Sequence, residues 1–368
     1  MKMKSINTNQ SVSKKKQLTL IQVFRGIASL LVVGVHGELI FEQNLDQQFL
    51  FNIFHFGGSG VDFFFVLSGF IIYYVHQKDL GKDNRLKQFI LKRLVRIYPI
   101  YWVVLAAKLI ASFSLGYSNT HERSWWEIFQ AFSLLPMDRN VISESFLGVS
   151  WTLTYEIFFY CLFGLLIYFG LKKCLPLIVI WLGAVLIHSI GLLPLPENYV
   201  VTNFIFSILH LEFAMGIVAA HLISTDRVKH GEKIMSFGVF LFTLAAINFN
   251  YQLFPLPDIL AFALPSTLLV IGAAAWEIKT YIQIPSFAIL LGNASYSLYL
   301  IHGFIMNNVT KITIALGWEG IIFKSNILMT IFPLINMVLA TIVGCLLYLY
   351  IEKPLVKICR NNVIKKFS

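Results

Sequence analysis

The sequence predicts an all-α membrane protein, a polytopic bundle of about ten transmembrane helices with both termini in the cytoplasm. Of its 368 residues, 57% are hydrophobic and only 13% are charged, whereas a soluble domain carries roughly 25% charged residues. The mean hydropathy is +0.72, and the positive residues fall mainly between alternate apolar stretches, as they do in chains that cross a membrane repeatedly. These observations exclude a soluble globule, a disordered chain and a coiled coil.

Each predicted element is an apolar stretch of about 20 residues, the length that a helix needs to cross the hydrocarbon core. The predicted spans lie at about 18–40, 58–77, 97–115, 147–169, 174–193, 202–222, 235–253, 256–276, 285–305 and 326–350. The first span follows the lysines at 14–16, as a secretory signal would, but it is too long and lacks a small-residue cleavage site, so we interpret it as retained. In the long outer connection, residues 124–129 predict an interfacial or re-entrant helix.

The distribution of positive charge predicts the topology. The net charge of +10 would also suit a nucleic-acid-binding protein, but 23 of the 29 Lys and Arg residues fall in alternate segments and only 4 fall in the opposite loops. The positive-inside rule then puts both termini in the cytoplasm. We predict a basic N-terminal tail over 1–17, one membrane domain over 18–352 and a basic C-terminal tail over 353–368, with membrane lipids and no nucleic acid as partners. The four cysteines form no C-x-x-C pair, so no metal site is predicted.

Ionisable residues inside the spans are the first functional candidates, because a charge in the hydrocarbon region costs about 2.5–3.5 kcal/mol on insertion scales. Arg25 and His36 lie 11 residues apart in the first span, so a helix puts them on one face, about 20° and about 16.5 Å apart. Imidazole titrates close to neutral pH and suits a general base; the alternative is a structural, hydrogen-bonded histidine. Glu38 would orient this imidazole only if the helix unwinds, since residues i and i+2 do not share a face.

Five short motifs resemble, in order, those of the membrane-bound acyltransferase-3 family, which O-acylates bacterial surface glycans and related molecules. They are Phe24–Ala28 followed by His36, Gly60–Phe70, Lys92–Pro99, Ser150–Glu156 and Gly292–His302. The resemblance covers nearly the whole chain and implies transfer of an acyl group from acyl-CoA, with acetyl-CoA as the expected donor, to a hydroxyl of a lipid-linked or growing sugar. The sequence holds no SGNH-type domain of the kind fused to many relatives, so we expect the stand-alone exopolysaccharide or O-antigen O-acetyltransferase type.

The resemblance assigns the donor site to arginines. Arg93 and Arg96 lie at positions i and i+3 of a predicted helix that enters the membrane, where two guanidinium groups can bind the phosphates of coenzyme A. The alternative is that they only enforce topology and bind anionic lipid. Arg25 is expected to donate to the thioester or pyrophosphate end of the donor, or else to anchor the first helix at the interface.

Glu156 is the candidate carboxylate. It follows Trp151 and Tyr155 in an otherwise apolar helix, where an unpaired carboxylate would need a partner. We expect it to pair with His36 or Arg25 or to orient the acceptor; the alternative is a polar contact between helices. Trp151 and Tyr155 are predicted to contact the acceptor.

Three further residues are predicted to bind the acceptor. Tyr299 and His302 share one face of a late helix with Ser295, at i, i+4 and i+7, which suits either a cavity lining or packing. Asp62 lies at the outer start of the second span, where it would either bind the acceptor or cap the helix.

The predicted function is therefore that of an integral O-acyltransferase of the bacterial inner membrane. His36 acts as general base, with Arg25 and Glu156 as further catalytic residues and without a metal; a covalent acetyl-His36 intermediate is equally compatible with the sequence. Two other classes stay open: a glycolipid or polysaccharide transporter or flippase, which would favour broken helices and internal symmetry, and a non-catalytic receptor. The sequence does not identify the acyl group, the acceptor sugar or the oligomeric state.

Overall fold

The architecture comes from a computed structural model. It describes residues 18–46, 52–114, 123–196, 199–257 and 259–364. Over these residues the regular structure is helical and no strand is present. Ten helical segments are long and apolar enough to cross a membrane. The predicted all-α bundle of about ten spans is confirmed, while the cytoplasmic position of the termini stays a prediction.

Helices follow one another along the whole described chain. The α-helices are α1 Thr19–Leu45, α2 Ser59–His76, α3 Leu86–Ser114, α4 Trp125–Ser133, α5 Arg139–Ser145, α6 Ser150–Phe169, α7 Leu171–Ser189, α8 Val200–Ile205, α9 Leu209–Ser224, α10 Gly231–Tyr251, α11 Leu264–Lys279, α12 Ser286–Ala315, α13 Glu319–Ile322, α14 Asn326–Leu347 and α15 Lys353–Cys359. Turns of π-helix at Ile259–Ala263 and Tyr348–Glu352 lead into α11 and α15. The candidate spans contain α1, α2, α3, α6, α7, α8 with α9, α10, α11, α12 and α14.

Each predicted span corresponds to one of these segments, and the third differs most in where it begins. We predict 97–115 from hydropathy, but α3 begins at Leu86. The basic stretch before residue 97 is rich in Leu, Lys and Arg, which are good helix formers, and Pro99 lies inside the helix. The helix therefore carries charged turns in front of its apolar part, which a hydropathy scan does not detect.

The connection between α3 and α6 contains the predicted helix as α4. Ser124 and Glu127 form a reciprocal capping box at its start, and Trp125 and Trp126 are exposed, as suits a helix at a membrane surface. The hydropathy pattern does not predict α5, because seven residues show too little periodicity.

Close packing of helix backbones holds α1 against α12. At the contact with α12, a Cβ on Gly292 would collide with the carbonyl of Gln22, and a Cβ on Gly26 would press on the α12 backbone. Gly69 of α2 and Gly216 of α9 allow a similar approach. Small residues at such points let helix backbones come close together in a membrane. Because α2 and α14 also pack on α1, the motif-bearing helices share one core.

The first turn of α1 is capped from another helix. The carboxylate of Glu277, on α11, accepts hydrogen bonds from the backbone N–H groups of Thr19 at 2.6 Å and Leu20 at 2.7 Å. These N–H groups have no partner within their own helix, and a carboxylate is favourable at a helix N-terminus. The cap fixes where α1 begins and thereby the depth of its functional residues.

Candidate active site

One helix carries both ionisable residues of the first motif. Because α1 is unbroken, Arg25 and His36 share a face, as their spacing predicts. They line different cavities, however: Arg25 lies in a cavity with Arg93 and Arg96, whereas His36 lies in a separate cleft. We call these the arginine cavity and the His36 cleft. A single rigid helix therefore links the two.

The arginine cavity brings together five of the predicted site residues. It has a volume of about 150 Å³. Its polar and charged lining consists of Arg25, Ser68, Arg93, Arg96, Thr152, Glu156, Tyr160, Ser295, Tyr296 and Tyr299. Three guanidinium groups face one carboxylate in this lining, so the cavity carries the charge that a phosphate ligand needs.

Arg96 is held by a residue that the sequence analysis does not identify. Its Nη1 lies 2.5 Å from Oε1 of Glu352, and Oε2 of Glu352 accepts a hydrogen bond from Ser297 Oγ at 2.6 Å. Glu352 is fully buried. It lies in the π-helical turn after α14, and its signal in the sequence is a single acidic residue in an apolar segment.

Arg93 is held by a chain of two further side chains. Its Nη2 donates to Nε2 of His76 at 3.0 Å, and Nδ1 of His76 donates to Asp79 at 2.8 Å. The guanidinium also lies 5.6 Å and 5.7 Å from the rings of Phe89 and Tyr160. Its Nε is buried without a hydrogen-bond partner.

Glu156 faces the arginine cavity. Its Oε1 accepts hydrogen bonds from Tyr160 Oη and, at 3.4 Å, from Ser68 Oγ. It shares the cavity with Arg25, whereas His36 lines the other cleft. Of the expected partners, the fold therefore brings Arg25 close to Glu156.

The central feature of the site is a pair of histidines. The rings of His36 and His302 lie edge to face, with centroids 4.9 Å apart and planes at 76°. Nδ1 of His36 is 2.9 Å from the carbonyl of Val32, and Nδ1 of His302 is 3.1 Å from the carbonyl of Leu298. Because a carbonyl only accepts, each Nδ1 carries the proton in the neutral ring, and each Nε2 carries a lone pair. Nε2 of His302 is buried without a partner.

The backbone, not Glu38, orients the His36 ring. Because α1 does not unwind, Glu38 points elsewhere, and its Oε1 accepts a hydrogen bond from the backbone N–H of Phe54 at 2.7 Å. The carbonyl of Val32, one turn before His36, orients the imidazole ring. This is the role expected of the Glu38 carboxylate if the helix were unwound.

The His36 cleft is larger and more polar than the arginine cavity. Its volume is about 560 Å³. Besides His36, its polar and charged lining consists of Gln43, Asn44, Lys108, Ser112, Arg123, Ser143, Glu144, Trp151, Asn307, Asn308 and Lys311. Burial lowers the pKa of Arg123, but an arginine stays charged at any working pH.

The residues predicted to bind the acceptor do not all reach this cleft. Trp151 lines it, but Tyr155 lines a neighbouring pocket of about 370 Å³, in which Trp151 also takes part and Arg139 stacks on the indole at 3.9 Å. Asp62 lies outside all three cavities. Gly58 is the N-cap residue of α2, and Asp62 lies in the first turn of that helix.

Tyr299 and His302 lie between the two main cavities. Tyr299 lines the arginine cavity, its hydroxyl is 2.9 Å from Thr152 Oγ1, and its ring centroid is 6.1 Å from that of His302. His302 in turn contacts His36. No described residue lines both cavities, but contacts between Tyr299, His302 and His36 connect one to the other.

Comparisons with known proteins agree with the motifs. Residues 19–350 match a family model described as an acyltransferase domain, Acyl_transf_3. The chain is similar to the exopolysaccharide production protein ExoZ of Rhizobium meliloti (strain 1021), with 28% identity over 311 residues, 83% of this chain and 91% of that protein. It is also similar to acyltransferase MdmB of Streptomyces mycarofaciens, with 27% identity over 309 residues, 76% of each chain. No solved structure matches significantly.

Proposed function

Because the chain belongs to the acyltransferase-3 family, we propose that it transfers an acyl group, acetyl in the simplest case, from cytoplasmic acyl-CoA to a hydroxyl of a cell-surface or lipid-linked glycan. The observation that carries this proposal is the His36–His302 pair, which lies between an arginine-rich cavity and a polar cleft. The name of the similar ExoZ protein, which refers to exopolysaccharide production, supports a glycan acceptor. The proposed location is the bacterial inner membrane.

The arginine cavity is the proposed donor site. Coenzyme A carries phosphates, and Arg25 and Arg93 form no salt bridge with a described residue. Guanidinium groups bind phosphate through paired, charge-assisted hydrogen bonds. The charge of Arg96 is partly neutralised by Glu352. We therefore propose that Arg96 adds fixed positive charge to the site, whereas Arg93 and Arg25 make the closer contacts with phosphate.

His36 is the proposed general base. Its Nε2 lone pair takes the proton of the acceptor hydroxyl while the hydroxyl oxygen attacks the thioester carbonyl carbon. The new C–O bond forms, the C–S bond breaks, and the thiolate of coenzyme A leaves with the proton returned by the imidazolium. The products are the O-acylated sugar and free coenzyme A. His302 offers a second Nε2 acceptor beside the same hydroxyl.

A two-step route uses the same atoms. Nε2 of His36 attacks the thioester carbonyl carbon first, the C–S bond breaks, and coenzyme A leaves as the thiolate. The sugar hydroxyl then attacks the acyl-imidazolium, the C–N bond breaks, and the hydroxyl proton goes to the thiolate. In either route the thioester has to pass Tyr299 to reach His36. An extended pantetheine arm is of the same order as the rise of about 16.5 Å between Arg25 and His36, so the length of the donor suits the separation along α1.

The proposal is tested by acyl transfer in cells. Surface polysaccharide is isolated from cells that express the unaltered protein, the His36→Ala variant or neither, and its alkali-labile acyl content is measured. We expect ester only with the unaltered protein, because both routes need the His36 lone pair.

A matched histidine serves as control. His188 lies at the end of α7, where Nδ1 donates to the carbonyl of Leu193, away from the three cavities. The His188→Ala variant should therefore keep its activity at equal membrane levels. Wild-type activity of the His36→Ala variant would show that the mechanism is wrong.

A further inference from the structure

The His36 cleft concentrates positive charge where positive residues are rare. Only four Lys and Arg residues fall in the predicted outer loops, and two of them, Arg123 and Lys311, line this cleft. The structure places Lys311 near the end of α12, because this helix continues beyond the predicted span. Lys108, from inside a span, lines it as well. All three line the same cleft, so the three cations share one site. The positive-inside rule does not account for such a cluster in outer segments.

Lys108 is the member of this cluster whose position costs the most free energy as a charged group. It lies on α3 within a candidate span, and its Nζ donates to the backbone carbonyl of Phe146. It forms no ion pair with a described residue. An ammonium group at such a position is costly and usually functional.

Arg123 has a fixed position at the rim. Its Nε donates to the carbonyl of Ser145 at 3.0 Å, and Nη2 donates to Ser112 Oγ at 3.2 Å. The guanidinium lies 5.9 Å from the Phe146 ring. Glu144 also lines the cleft, so three cationic side chains face one carboxylate.

The rest of the lining suits a sugar. Four side-chain amides line the cleft, those of Gln43, Asn44, Asn307 and Asn308, and amides of this kind both donate to and accept from hydroxyl groups. Two of them are held in place by backbone carbonyls, since Nδ2 of Asn44 donates to Ile40 and Nδ2 of Asn308 donates to Phe304. Trp151 presents an aromatic surface in the same cleft, and a few polar groups around an aromatic side chain are typical of small-molecule sites.

We propose that the acceptor glycan is anionic, with a carboxylate or a phosphate close to the hydroxyl that is acylated. Lys311 and Arg123 bind the anionic group through charge-assisted hydrogen bonds, Lys108 adds positive charge deeper in the cleft, and the neighbouring hydroxyl meets His36. This inference rests on the proposed function, because it names the acceptor class of the same reaction.

The test uses one acceptor in three chemical forms. Surface polysaccharide of the host is first freed of esters by mild alkali. One portion, called untreated, receives no further treatment. A second portion has its carboxyl groups reduced to alcohols, and a third has its phosphates removed with aqueous hydrogen fluoride. Purified full-length protein in lipid nanodiscs transfers label from [14C]acetyl-CoA to each form. We expect one of the two treatments to lower kcat/KM at least ten-fold, and the treatment that does so identifies carboxylate or phosphate.

A pair of lysine variants connects this effect to the cleft. Lys311→Gln should raise KM for the untreated polysaccharide about ten-fold, the loss of one hydrogen bond to a charged group, and should not change KM for the neutralised form. Lys324→Gln removes an exposed outer lysine outside the cleft and should change neither. If both neutralised forms accept label as well as the untreated one, the inference is wrong and the proposed function stands. If untreated polysaccharide accepts no label, the proposed function fails as well.

Discussion

At the scale of residues, the ion pair between Arg96 and Glu352 is expected to affect both the stability of the fold and the proposed binding of the donor. Glu352 is fully buried, and both of its oxygens are bonded, one to Arg96 and one to Ser297. Removing one member of a buried pair leaves the other charge uncompensated and costs about 3–5 kcal/mol, whereas replacing both with apolar side chains is often neutral. Stability and donor binding can therefore be separated at this pair.

We expect the Glu352→Gln variant to lose about 1.5–3 kcal/mol of unfolding free energy, less than a wholly buried pair would lose because the Arg96 side chain is one-third exposed. It should also bind acyl-CoA less tightly, because Arg96 loses its fixed orientation. The double variant Arg96→Met with Glu352→Met should recover most of the stability but not the affinity for acyl-CoA. Thermal unfolding in detergent and KM for acyl-CoA measure the two effects.

The exposed pair of Lys279 and Asp226, 3.6 Å apart, serves as control. Asp226→Asn should change the unfolding free energy by no more than about 1 kcal/mol, since exposed pairs contribute little. An unchanged KM for acyl-CoA in the double variant at Arg96 and Glu352 would contradict a donor site in the arginine cavity.

The sequence predicts which polar residues lie within spans, but not which of them contact one another. Arg25 and His36 can be paired from spacing because they share one helix. Glu352 and His76, which hold Arg96 and Arg93, belong to other helices, so only tertiary packing brings them there. The π-helical turn at Tyr348–Glu352 also departs from the 3.6-residue period on which spacing arguments rest.

At the scale of elements, the contact between α1 and α12 sets the geometry of the histidine pair. His36 and His302 come from these two helices, which touch at Gly26 and Gly292. Hydropathy predicts that both helices exist, since their apolar stretches are long. It does not predict their contact, because a glycine in a span is equally compatible with a lipid-facing position.

We expect the Gly292→Ala variant to lose about 1–3 kcal/mol of stability, the usual cost of overpacking. The added Cβ meets the carbonyl of Gln22 and moves α12 away from α1, which separates the two histidines. A displacement of about 1 Å at a catalytic group can lower the rate about 100-fold, so kcat should fall more than KM for acyl-CoA rises.

Gly183 is the matched control for this substitution. A Cβ there has nothing within 4 Å, so Gly183→Ala on α7 should leave activity unchanged and stabilise the helix by up to about 1 kcal/mol. If Gly292→Ala keeps wild-type kcat, the close contact between α1 and α12 does not position the histidine pair.

At the scale of the whole molecule, the two cavities lie at successive positions along α1, with the histidine pair between them. This arrangement suits the proposed transfer across a membrane, in which donor and acceptor enter from different sides. The arrangement alone does not show which cavity faces the cytoplasm, because the geometry of a helical bundle is compatible with either orientation in the membrane. The distribution of Lys and Arg predicts the answer: by the positive-inside rule, the arginine cavity lies towards the cytoplasm.

The orientation is tested by labelling single cysteines in intact cells with a membrane-impermeant maleimide. The background has serine at the four native cysteines, which are free thiols: Cys161, Cys174, Cys345 and Cys359. Lys324→Cys lies in a predicted outer loop and should react at once. Lys82→Cys lies between α2 and α3 and should react only after permeabilisation, because the positive-inside rule puts this basic connection in the cytoplasm. Both positions are exposed, so a difference in reactivity reports the side of the membrane. The opposite pattern would put the arginine cavity on the outer face, where acyl-CoA is absent, and would contradict the proposed donor.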